Sequence, residues 1–116
     1  MADTIVRGIS DLISVTCGTE ANLPSGSTVV HMGEHAGGII HMEAFTGAAT
    51  RTLNFHLCPD PRLPNETLLL CDSSNTSIAL TVGPSRSYAL PDELFASRMF
   101  RVTANTAVNA RVSFKT

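Results

Sequence analysis

The chain has 116 residues and a mass of 12.3 kDa, enough for one compact domain and too few for two. Hydrophobic residues make up 43% and charged residues 16%, which excludes a disordered chain and a coiled coil. Eight basic against ten acidic side chains leave a net charge of −2, so a nucleic-acid-coating role is excluded as well.

Taken from the N-terminus, Ile5, Ile9, Leu12 and Ile13 fit a helical spacing. Gly8 and the β-branched residues around it favour an extended arm, so residues 1–15 are expected to precede a single domain of residues 16–116. Pro24-Ser25-Gly26-Ser27 is a turn, and Val30 and Met32 alternate within a predicted strand over 28–32. The glycine-rich stretch 33–38 follows, then Ile40, Met42 and Ala44 share one face of a strand over 38–44. The two runs are expected to form a hairpin. Leu53, Phe55 and Leu57 alternate with Thr52, Asn54 and His56. The three-proline segment Pro59 to Asn65 excludes regular structure. Leu68-Leu69-Leu70-Cys71 is the longest apolar run, of strand length and far too short to span a bilayer. After the polar turn Asp72 to Asn75, Ile78, Leu80 and Val82 alternate again, and Gly83-Pro84-Ser85 turns the chain.

Leu90-Pro91-Asp92-Glu93-Leu94-Phe95 places proline and two acids where a helix starts, predicting a single helical turn that packs Leu94 and Phe95 against the domain. Phe100 and Val102 form the next alternating run, and Ala104-Asn105-Thr106 a turn. Val108, Ala110, Val112 and Phe114 make the clearest alternation in the chain. Phe55, Leu80, Val112 and Phe114 are the expected core. Seven or eight short strands at a spacing of roughly ten residues predict an all-β fold: an antiparallel β-sandwich, jelly-roll-like, with one short helical turn.

Three cysteines, Cys17, Cys58 and Cys71, are an odd number with no CxxC pair, against a disulfide framework or a zinc knuckle. MADTIVRGIS lacks the apolar stretch of a signal peptide. Asn65-Glu66-Thr67 and Asn75-Thr76-Ser77 match the glycosylation pattern and read as chance placements of Asn in turns. The expectation is a protein made in a reducing cytoplasm.

Chemistry is sparse. On the expected hairpin His31 lies opposite His41, with His35 in the loop, close enough for imidazoles to share a metal. A small cupin-like metal-dependent enzyme is therefore one alternative, although the His-x-His pair of cupins is missing. No Gly-x-Ser-x-Gly elbow or phosphate-binding loop is present. No catalytic residue, metal ligand or cofactor is assigned.

Charge is unevenly placed. Arg98, Arg101, Arg111 and Lys115 lie in residues 98–116, which contain no acid. If 98–103 pairs with 107–114, Arg101 and Arg111 fall on one outward face, suited to an acidic surface on another chain. The arm residues Ile5, Val6, Ile9 and Leu12 are the apolar counterpart of that expected interface.

The run Tyr88-Ala89-Leu90-Pro91-Asp92-Glu93-Leu94-Phe95, then Arg98-Met99-Phe100-Arg101-Val102, then Ala110-Arg111-Val112-Ser113-Phe114-Lys115, resembles small virion structural proteins of tailed bacteriophages. The resemblance covers about 30 residues and carries no catalytic motif. It implies a capsid decoration, or cement, protein: a homo-oligomer, trimeric by habit, on the outer capsid surface, with the major capsid protein as partner and neither nucleic acid nor membrane. A tail or head–tail connection protein is the nearest alternative. The low charged fraction agrees, since apolar surface left over from a small core is buried in an oligomer or against a partner.

Overall fold

The computed structural model describes residues 12–23, 25–32, 35, 37–60, 62–63 and 65–115. The described residues form nine strands: β1 (Ile13–Cys17), β2 (Val30–His31), β3 (Gly37–Met42), β4 (Arg51–Leu57), β5 (Leu68–Leu69), β6 (Ala79–Val82), β7 (Ser87–Ala89), β8 (Met99–Ala104) and β9 (Val108–Lys115). Two 3-10 turns, Glu20–Asn22 and Asp92–Ala96, are the helical elements among them. None is long and apolar enough to cross a membrane.

The strands build two antiparallel sheets, a front sheet ordered β1-β9-β3-β7 and a back sheet ordered β2-β8-β4-β5, with β6 also on β4. β5 and β6 are one strand interrupted. Leu68 and Leu69 pair with Leu57 and His56, and Ala79 to Val82 continue along Asn54 to Arg51 in the same direction. Between them the chain leaves the sheet through residues 71–77, closed by a bridge from Cys71 to Ser77. Ile78 N–H donates to the Leu70 carbonyl at 3.0 Å, which returns the chain to its line. With that strand counted once, the two orders are those of a jelly roll, two interleaved Greek keys in which each connection crosses between the sheets except that from β4 to β5.

The core is the alternation made solid. Val15 and Cys17 from β1, Ile40 and Met42 from β3, and Val108, Ala110, Val112 and Phe114 from β9 meet Leu53, Phe55, Val82, Phe100 and Val102 from the back sheet. Phe55, Val112 and Phe114 are buried as expected, whereas Leu80 is half-buried because β6 lies at a sheet edge. The turn after Pro91 also forms where predicted: Leu94 is fully buried and Phe95 meets Phe114 edge-on at 6.1 Å. Phe114 fits because residue 38 is glycine. A Cβ there would sit 2.8 Å from the Phe114 ring and 2.8 Å from the Ser113 carbonyl oxygen.

Both expected hairpins are corrected. β2 and β3 do not pair; β2 pairs with β8, and β3 with β7 and β9. β8 and β9 likewise belong to different sheets, β8 beside β2 and β4, β9 beside β1 and β3. In each case the connection crosses between the sheets, and the apolar residues of both strands join one core. Alternation looks the same in either arrangement. What decides is that each crossing buries two apolar faces against each other, where a free hairpin would leave one in water. At the N-terminal end, Ile13–Cys17 is a strand of the front sheet, so the sandwich takes in residues 13–15 of the stretch assigned to the arm.

Candidate functional site

The two sheets differ in what lies over their outer faces. On the back sheet, His56, Arg101 and Thr103 point away from the core yet are 3%, 6% and 1% exposed. The segment joining β1 to β2 covers them. It is pinned to β8 at two points, where Ala104 N–H donates to the Gly18 carbonyl at 2.9 Å and the Arg101 guanidinium to the Ser27 carbonyl, and it is braced within itself by Gly18 N–H donating to Ser27 Oγ at 3.1 Å. Gly18 lies so close to Gly26 that a Cβ on it would stand 2.3 Å from the Gly26 carbonyl oxygen.

Beneath this cover lies a polar cluster. His56 Nε2 is 2.9 Å from Thr103 Oγ1, and Arg101 stands opposite His56 in the strand register. Burial lowers the His56 pKa, against the attraction of Glu20. Burial raises that of Cys58, opposed by the charge of Arg101 and its hydrogen bond. Cys17 is pushed up to about 12 by burial. Both are thiols at neutral pH, unlike an activated nucleophile. Arg101 is thus part of a closed structural cluster and does not share an outward hairpin face with Arg111.

The outer face of the front sheet is open. Ser14 of β1, Arg111 of β9, His41 of β3 and Ser87 of β7 lie side by side in register. His41 is held on both sides, with Nδ1 2.7 Å from Ser87 Oγ and Nε2 3.0 Å from Ser113 Oγ. Arg111 Nε is 3.8 Å from Glu43 Oε2, with both side chains about half-exposed. Such a pair contributes about 0–1 kcal/mol and leaves the guanidinium available. One row along, Ile39 pairs with Ser113 and Ala89 and is 37% exposed. Leu12, the residue before β1, is 57% exposed.

Of the expected interface residues, Leu12 and Arg111 therefore belong to one exposed sheet face, Arg101 is buried, and Ile5, Val6 and Ile9 lie outside the described residues. The expected imidazole pair is not formed. His31 stands in the back sheet beside Met99, His41 on the front face, and His35 stacks on Phe114 at 5.0 Å. Among the described residues, no three of His, Cys, Asp and Glu are grouped as metal ligands. A further feature is the edge strand β5 of the back sheet, where Leu68 and Leu69 are 62% and 42% exposed. Sequence reading took Leu68 to Cys71 as an ordinary strand; nothing in the run shows that it lies at an edge.

Comparison with protein families, with curated proteins and with solved structures gave no match to this chain.

Proposed function

We propose that the chain is a structural component of a virus particle, a jelly-roll module that decorates the outer surface of a phage capsid and stabilises it by binding the major capsid protein. The observation that carries this reading is the open outer face of the front sheet, on which Leu12, Ile39 and Arg111 are exposed together. A flat face mixing aliphatic residues with an arginine suits attachment to a shell: the aliphatic part supplies affinity and the arginine meets a carboxylate. The jelly roll itself is a recurrent architecture of viral capsid proteins, which supports the reading at the level of fold.

Co-sedimentation with empty capsids assembled from a phage major capsid protein tests it. Binding is expected to weaken with salt and to survive at about 1 M, where the Debye length is about 3 Å and only apolar contact remains effective. Arg111→Glu lowers binding at low salt, and Ile39→Asp removes the part that resists salt. Absence of wild-type binding, or binding to tails alone, overturns the proposal.

A further inference from the structure

We propose that residues 71–78 are a guard inserted into the edge strand of the back sheet, which keeps that edge from pairing with the same edge of a second copy of this chain. The strand register locates the insertion. Leu68 and Leu69 stand opposite Leu57 and His56, and Ala79 to Val82 stand opposite Asn54 to Arg51. Leu70 takes the position between them, its N–H donating to the Phe55 carbonyl at 2.9 Å. Leu70 and Ala79 are therefore consecutive positions along the seven residues of β4, and residues 71–78 have no counterpart there.

What the insertion separates explains its use. Closed up, the edge would read Leu68-Leu69-Leu70-Ala79-Leu80-Thr81-Val82, without a charge, a proline or a glycine. A run of that composition pairs readily with further strands and aggregates. Among the described residues no strand pairs with the outer side of β5 or β6, and Leu68 and Leu69 are exposed there. Such an edge matches itself, since a two-fold axis sets it antiparallel to its own copy. The insertion divides it into short pieces and places Asp72-Ser73-Ser74-Asn75-Thr76, all exposed, at its middle. These residues form an ordered turn. Asp72 Oδ1 accepts from Ser74 N–H at 2.8 Å and from Thr76 N–H at 3.1 Å, and Asp72 N–H donates to the Thr76 carbonyl at 2.9 Å. Asn75 takes a left-handed φ of 63°, which asparagine tolerates. Short strands, bulges and charges are the means by which natural sheets blunt their edges. The guard acts on the back-sheet edge and the capsid reading rests on the front face, so either can fail without the other.

The test is a chain lacking residues 71–78, in which Leu70 is joined to Ala79 in register, compared with wild type by sedimentation velocity at micromolar concentration. The shortened chain is expected to sediment as a dimer of the wild-type unit or larger, increasingly so with concentration. A second variant adds Leu69→Lys and Thr81→Lys to the deletion. Both residues are exposed and stand opposite His56 and Thr52 on the outer side of the sheet, where lysines of two paired copies repel each other. This variant is expected to return to the wild-type state with a strand-dominated circular dichroism spectrum, which also shows that the shortened chain folds. A deletion variant that sediments as the wild type, or association that the two lysines leave unchanged, overturns the proposal.

Discussion

Phe114 shows how much one side chain carries. It is 1% exposed, stacks on His35, meets Phe95 edge-on and occupies the space that Gly38 leaves free. Phe114→Ala removes a ring that these neighbours cannot refill, and a loss of about 3–5 kcal/mol in urea unfolding is expected. His56 makes a different prediction. Its folded pKa lies below the ordinary 6.5 because burial disfavours the charged ring, and Glu20 only partly offsets this. Below pH 6.5 the unfolded chain therefore binds a proton that the folded one refuses, and stability falls as pH falls through that window. Comparing unfolding free energies at about pH 7.5 and about pH 5.5 checks this, because the His56→Gln variant loses part of the wild-type slope. An unchanged slope contradicts the account of the cluster.

Among the elements, the connection from β1 to β2 is the least ordinary. It covers β8 on the outer face of the back sheet, and every residue of that strand is buried. Its closeness depends on two glycines: Gly18→Ala drives a methyl into the Gly26 carbonyl and is expected to cost about 1–3 kcal/mol in urea unfolding. The same variant is expected to expose Arg101 and His56 to solvent, seen as faster amide exchange along β8. Strands and the turn after Pro91 were legible in the sequence because they rest on local signals, a two-residue period and a proline followed by acids. Sheet membership was not. Val102 and Val108 look like hairpin partners in the sequence, and the structure sets them in opposite sheets. For the same reason His31 and His41 were paired wrongly and Arg101 was placed in water. A buried arginine in a strand is visible only when the segment folded over it, here residues 18–28, is known to be there. Arg111 was placed correctly on an exposed face, since β9 alternates without interruption.

For the whole molecule, the jelly roll sorts its surfaces. Crossing connections bury both inner faces, the β1–β2 segment covers β8 on the outer face of the back sheet, and among the described residues the front face leaves Leu12, Ile39 and Arg111 exposed. In the proposed function the front face is the surface that meets the shell. Electron cryomicroscopy of empty capsids incubated with the protein tests the central claim most directly. The account predicts added density on the outer capsid surface, into which the sandwich fits with the front sheet against the major capsid protein. Capsids without added density, or a subunit seated with its back sheet against the shell, would contradict it.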